Sequence, residues 1–296
     1  MTSNHNVIVV GLPDSGKTNY IMRFWLALRE NSGLLRTDGL PDDLEYLEAG
    51  AGELLGGKFA PHTPHEVSNL ARIPISYSRE AGNAVNGILV VPDYSGEVWE
   101  EIYHKRQWSE EWEKLFDGSC GCLLFIRADS EHIVPSLDWI SACKYFGAPE
   151  DIAAMVAEHQ GDSVTPSQVI FVDWLQFFRR VFTDKVGGEF KPKVGIVVSA
   201  WDLVPDDQKD LGPDVYIENN FPLLKQFLDT NSDRFDVEFF GVSIVGGDLR
   251  DVGGFRETYL NAGPKNAGSV VYKQNATLRD TKDLTYPVAW ALGIDG

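Results

Sequence analysis

The first clear signal along the chain is Val7-Ile-Val-Val10, an unbroken apolar run of the kind a strand shows when both of its faces are buried in a parallel sheet. A glycine-rich turn separates it from Thr18–Glu30, where Tyr20, Ile21, Phe24, Leu26 and Leu28 make a broad apolar helical face. Residues 31–69 are rich in Gly, Pro, Asp and His and read as a long loop region with one short helix over 41–49. Two strand-like runs follow, Ala71–Ser78 and Gly87–Val91, and the turn-prone residues between them predict an antiparallel hairpin. Trp99, Ile102, Tyr103, Trp108, Trp112 and Leu115, set among charges, predict a helix over Val98–Phe116. Cys122–Arg127, Val194–Val198 and Val237–Val242 read as further buried strands. Helices are expected at Val169–Phe182, after the Thr165-Pro166 start, at Phe221–Leu228 and at Pro287–Leu292.

Strands alternating with helices define an α/β fold with a doubly wound, mostly parallel sheet. No internal repeat or low-complexity tract interrupts it, so residues 1–296 read as one domain. Within that domain, 130–190 read as a helical insertion and 246–296 as a turn-rich C-terminal extension. Between Val169 and Phe182 there are too many apolar residues for one face of a surface helix. Two readings stand: the helix is core, or part of it docks a partner protein or a second copy in a homodimer.

Composition narrows the function. The formal net charge is −18, from 44 acidic and 26 basic residues. Nucleic acid is held mainly through neutralised phosphates and anionic membranes through basic patches, so neither is an expected partner. No apolar run approaches the length of a bilayer span, and the polar start, MTSNHN, leads straight into a strand; the expected location is cytoplasmic. Cys120, Cys122 and Cys143 have neither disulfide-framework nor zinc spacing and read as buried thiols.

The chemistry begins at Gly11-Leu-Pro-Asp14-Ser15-Gly16-Lys17-Thr18. In GxxxxGK(S/T) the glycines let backbone N–H groups wrap phosphate oxygens while a helix N-terminus adds its dipole. Lys17 is expected to bridge the β- and γ-phosphates and the Thr18 hydroxyl to ligate Mg²⁺. The pattern arises by chance in roughly one chain of this length in a hundred, and here a buried strand precedes it and an amphipathic helix follows. The motif therefore weighs more than any other in the chain.

A second carboxylate near the metal is expected at the end of an apolar strand, and Ile88-Leu-Val-Val-Pro-Asp93 supplies one. Asp93-Tyr-Ser-Gly96 also resembles the DxxG element of GTPases, which implies that the Asp acts through Mg²⁺ and that the Gly96 amide senses the γ-phosphate. Thr63 is the candidate loop threonine completing the Mg²⁺ shell, with Thr37 as its competitor. Glu97 either orients the attacking water or is a solvent-facing glutamate at a helix start. His62 and His65 read as solvated. Late in the chain, Ser199-Ala-Trp201-Asp202 ends a strand where an Asp can accept from the ring N–H and exocyclic amine of guanine, with Trp201 stacking on the purine. Ser243, at the end of a further strand, fits the last base-contacting loop.

The ordered set Gly11–Thr18, Thr63, Asp93–Gly96, Ser199–Asp202 and Ser243 resembles the Ras-like branch of the translation-factor-related P-loop GTPases over residues 7 to about 245. Where that family's base motif has an Asn or Thr followed by Lys, this chain has Ser199 and Ala200. The loop Gly57-Lys-Phe-Ala-Pro-His-Thr63 and the divergent base motif also resemble the double-GTPase families of bacterial conflict and defence operons. The resemblance implies a Mg²⁺-dependent molecular switch that binds GTP and GDP, hydrolyses GTP slowly without a partner, and signals to proteins encoded in the same operon. A scaffold that holds GTP without cleaving it, and an ATPase with relaxed base choice, are the alternatives.

Overall fold

The computed structural model describes residues 5–37, 39–60, 69–78, 84–93, 103, 119–135, 165–186, 191–251, 253–263 and 267–294. The expected helix over Val98–Phe116, apart from residue 103, lies outside them. So do Thr63, Gly96, Glu97, His62, His65, Cys143 and residues 136–164 of the helical block.

The chain runs β1 (His5–Gly11), α1 (Lys17–Glu30), α2 (Leu44–Leu55), β2 (Asn69–Ser78), β3 (Ala84–Asp93), β4 (Ser119–Arg127), α3 (Ser167–Val186) and β5 (Lys193–Ser199). After a 3₁₀ turn at Trp201–Leu203 come α4 (Asp206–Lys209), α5 (Pro213–Asn220), α6 (Pro222–Thr230), β6 (Asp236–Ser243), α7 (Phe255–Ala262), β7 (Ser269–Gln274), β8 (Thr277–Thr281) and α8 (Tyr286–Ala291). One eight-stranded sheet results, ordered β2-β3-β1-β4-β5-β6-β7-β8. The five strands from β3 to β6 in that order run parallel. Antiparallel β2 flanks them on one side and the β7–β8 ribbon on the other. The fold is α/β with a mostly parallel sheet.

Alternation along the central strands sends side chains into two separate cores. Val7, Val9, Leu123, Phe125, Val197 and Phe240 point to the face covered by α1, α2 and α8. Ile8, Val10, Leu124, Ile126, Ile196 and Val198 point to the face covered by α3, α5 and α6. This explains why the strand sequences read as unbroken apolar runs. Phe171, Trp174, Leu175 and Phe178 of α3 are at most 1% exposed against the sheet, so this face of the helix is core.

Two local differences from the sequence expectation have clear causes. α2 is longer and later than the helix expected over 41–49, because Gly50 and Gly52 in its sequence look like loop residues. The Asp43 carboxylate caps it by accepting from the Tyr46 amide at 3.1 Å. Gly50 leaves the space that the Met22 side chain of α1 occupies, with no room for a Cβ. The β7–β8 ribbon falls in a stretch expected to be turn-rich. Its strands are short, and its turn is Asn275-Ala276, both in the left-handed region (φ 51° and 60°), rather than the Asn-Gly that announces such hairpins.

Removing the Trp174 side chain leaves a large cavity beneath α3. Trp174→Ala is expected to lower unfolding free energy by about 3–5 kcal/mol in a denaturant titration. A second expectation concerns pH. Burial pushes the Glu238 carboxyl on β6 up to about 7, a bond from the Phe239 amide opposing the rise and the charges of Asp214 and Asp236 adding to it. Folding thus favours the protonated form. The stability it contributes is complete below the ordinary carboxylate value of 4.5 and is lost as pH rises through about 7. Glu238→Gln is expected to flatten the stability profile between those limits, measured as unfolding midpoints against pH.

Candidate nucleotide-binding site

The C-terminal ends of parallel strands share one edge of the sheet, which is where open α/β sheets place ligands. Here that edge collects Gly11 from β1, Asp93 from β3, Arg127 from β4, Ser199 from β5 and Ser243 from β6. β1 and β3 are in register through Ile8↔Val90, so Asp93 falls three residues further on, level with the start of the glycine-rich turn.

That turn is shaped by what surrounds it. A Cβ on Gly11 would stand 2.7 Å from both the Phe125 carbonyl oxygen and Ser15 Oγ. Gly16 adopts φ +85°, and a Cβ there would stand 2.8 Å from Ser199 Oγ. Ser199 Oγ in turn donates to the Ser15 carbonyl at 2.7 Å, joining the end of β5 to the loop. Lys17 is 8% exposed. Its Nζ lies within the curve of the loop and donates to the carbonyls of Gly11 and Leu12, each at 2.8 Å, and to Ser15 Oγ at 3.0 Å. Thr18 follows on the first turn of α1, whose N-terminus opens on the same edge. Asp14 is left-handed (φ 54°), and Arg127 Nη1 approaches its Oδ1 at 3.6 Å.

On the far side of the cleft Asp202 sits in the 3₁₀ turn after β5. Ser243 Oγ donates to Asp202 Oδ1 at 2.5 Å and accepts from the Gly246 amide at 2.9 Å. The carboxylate is thereby fixed to the last strand's loop. Gly268 braces that loop from behind: at φ +85°, a Cβ there would meet the carbonyl oxygens of Ile244 and Ser243 at 2.6 and 2.7 Å. Between the two sides lies a cleft of about 260 Å³ whose walls include Asp14, Gly16, Asn19, Ala200, Asp202 and Ile244.

The structure corrects one expectation here. Trp201 does not face this cleft as a stacking surface. Its indole is 4% exposed, packs edge-on to Tyr216 at 5.7 Å between centroids, and fills the space left by Gly241. Burial of a large apolar ring outweighs its exposure to solvent in the cleft, and Leu203 and Ile244 supply the apolar wall instead. The motif reading had also passed over Arg127, Asn19 and the Asp248–Arg250 pair. Asn19 Oδ1 accepts from the Ala60 amide at 2.9 Å, tying α1 to the segment leading toward Thr63. The exposed Asp248 carboxyl is held below the usual range by hydrogen bonds from Arg250. Arg127 is the one that position alone flags, being the last residue of a parallel strand. Cys122 is buried on β4, and burial pushes its thiol up to about 12, so it is inert at neutral pH.

A glycine-shaped loop between a buried strand and a helix N-terminus is the phosphate-binding arrangement of the P-loop class of nucleotide-binding proteins. A family model described as Double-GTPase 1 matches residues 8–291, and the chain belongs to that family, whose nucleotides are GTP and GDP. No curated protein matches the chain. Among solved structures it is similar to the signal recognition particle receptor SRb-GTP/SRX complex from Chaetomium thermophilum, at 14% identity and a TM-score of 0.37, covering 89% of this chain and 99% of that one.

The Ser243 contact yields a prediction about binding. Ser243→Ala removes a donor from Asp202 and an acceptor from the Gly246 amide. Isothermal titration is expected to show GDP affinity falling about tenfold while the thermal midpoint moves little.

Proposed function

We propose that this protein is a Mg²⁺-dependent GTP-hydrolysing switch whose nucleotide state governs its contacts with other proteins. The observation that carries the reading is the Ser243–Asp202 hydrogen bond across the cleft from the glycine-shaped loop. It fixes one carboxylate oxygen, and a ligand offering two adjacent donors would complete the group's remaining acceptor sites. Guanine presents such a pair in its ring N–H and exocyclic amine; adenine presents an acceptor at the corresponding ring nitrogen. A buried hydrogen-bonding site rejects a ligand that cannot complete it, so the arrangement favours guanine.

In this reading the polyphosphate lies along residues 11–18, with Lys17 at the β- and γ-phosphates. The Thr18 hydroxyl and the Asp93 carboxylate are hard oxygen donors of the kind Mg²⁺ takes, and both belong to elements that end at this edge. The metal would neutralise charge between the phosphates. Thr63 and the Asp93–Glu97 segment are the proposed switch elements, ordered by the γ-phosphate and released on its loss. Glu97 is the proposed water-orienting group. As a carboxylate it also repels the γ-phosphate, so turnover is slow until a partner brings a positive charge. Proteins of the same bacterial conflict or defence operon are the proposed partners, in the cytoplasm. No helix among the described residues is long and apolar enough to cross a membrane.

The test exploits the chemistry of the base. Xanthine carries a carbonyl where guanine has its amine, so an amide in place of the carboxylate suits it better. Asp202→Asn is expected to lose at least tenfold in GTP affinity and to gain affinity for xanthosine triphosphate, in competition binding against a fluorescent nucleotide. Equal competition by ATP and GTP with the unaltered protein would overturn the guanine assignment. Single-turnover phosphate release with and without Mg²⁺ reads the hydrolytic half: release is expected to be slow and metal-dependent, and retention of intact GTP would favour a scaffold.

A further inference from the structure

Four charged side chains line the cleft: Asp14 on the phosphate loop, Arg127 at the end of β4, and the Asp248–Arg250 pair in the loop after β6. They are not equivalent. Arg250 is bound to Asp248 through Nε at 2.9 and 3.2 Å and its side chain is 74% exposed. Arg127 is 29% exposed and reaches Asp14 at only 3.6 Å, longer than the 2.7–2.9 Å of a charge-assisted hydrogen bond. Among the described residues, no side-chain hydrogen bond holds its guanidinium.

Its place matters as much as its freedom. In the β4–β5 register Arg127 pairs with Ser199, whose hydroxyl fastens β5 to the phosphate loop. The guanidinium thus stands between the loop that would hold the phosphates and the turn carrying Asp202. Asp14 is a carboxylate in the wall of a site for a polyanion. Its repulsion is tolerable only with a cation alongside. In a chain of net charge −18, no diffuse positive field does this instead.

We propose that Arg127 is a nucleotide-binding residue whose guanidinium exchanges Asp14 for the sugar–α-phosphate stretch of the bound guanine nucleotide. This rests on the reading that the cleft binds GTP and GDP. A planar fork of N–H donors suits two phosphate oxygens better than it suits one carboxylate oxygen at 3.6 Å. Asp14 acts as the holder of the guanidinium before the ligand arrives and as its competitor afterwards.

Equilibrium binding of fluorescent GDP and of a non-hydrolysable GTP analogue tests this in the full chain, in the variants Lys17→Ala, Arg127→Ala, Arg127→Lys, Asp14→Asn and Asp14→Asn with Arg127→Ala. Arg127→Ala is expected to weaken both nucleotides by the same factor, roughly ten- to a hundredfold, because the contact lies before the γ-phosphate. Lysine at 127 is expected to restore part of the loss. Asp14→Asn is expected to tighten binding, and asparagine accepts the left-handed backbone there without strain. Three outcomes overturn the proposal while leaving the cleft reading intact, provided the unaltered protein binds and Lys17→Ala does not. These are unchanged affinity in Arg127→Ala, a loss confined to the triphosphate, and a loss that vanishes in the Asp14→Asn background, which would reduce Arg127 to a neutraliser of Asp14. Failure of the unaltered protein to bind either nucleotide overturns both. Thermal melts check that each variant is folded, and Arg127→Gln replaces Arg127→Ala if the alanine variant is not.

Discussion

The phosphate loop is wedged between its neighbours, and the rest of the site follows from that. Gly11 lies against the backbone of β4 and Gly16 against the end of β5, with no space for a side chain at either. Close packing of the loop on two strands holds its amides in a fixed curve, which an isolated glycine-rich turn would lose to conformational entropy. The Ser199 hydroxyl, bonded to the Ser15 carbonyl, adds direction to that packing. Preorganisation of this kind lowers the cost of ordering when a ligand binds.

The same packing lets an acidic protein bind a polyanion. Binding here depends on short-range dipoles and a few placed cations, not on the overall field. Backbone N–H groups and a helix N-terminus act over a few ångströms, and Lys17 sits within the loop's curve at 8% exposure. Surface carboxylates further than a Debye length away are screened at cellular ionic strength. The cleft therefore has its own electrostatic balance, and the total of −18 serves solubility.

The fold was legible where burial is two-sided. Val7–Val10, Cys122–Arg127 and Val194–Val198 announce themselves because parallel strands must be apolar on both faces. The β7–β8 ribbon was illegible for the opposite reason: its outer strand is mostly exposed and polar, so no periodicity marks it. At the site, the glycine-rich loop could be read because its residue types are dictated by sterics. Trp201 was misjudged because adjacency in sequence says nothing about which way a ring turns, and Gly241, forty residues away, supplies the space that draws it inward. Arg127 carries no motif. Its place at the end of a parallel strand flags it, and the sheet order, which sets β4 between β1 and β5, shows what it stands beside.

Gly268, seated on the carbonyls of Ser243 and Ile244, has a consequence for the order of events in biosynthesis. The loop that steadies Asp202 gains part of its backing from a segment some 250 residues after the phosphate loop. A chain growing from its N-terminus acquires that backing after the phosphate loop and the parallel strands are already made. A ribosome-bound intermediate can hold the glycine-rich turn and the first core strands yet lack a rigid wall at Asp202. In the proposed guanine reading, the wall that would meet the base becomes rigid only once residue 268 is made, well after the loop that would take the phosphates.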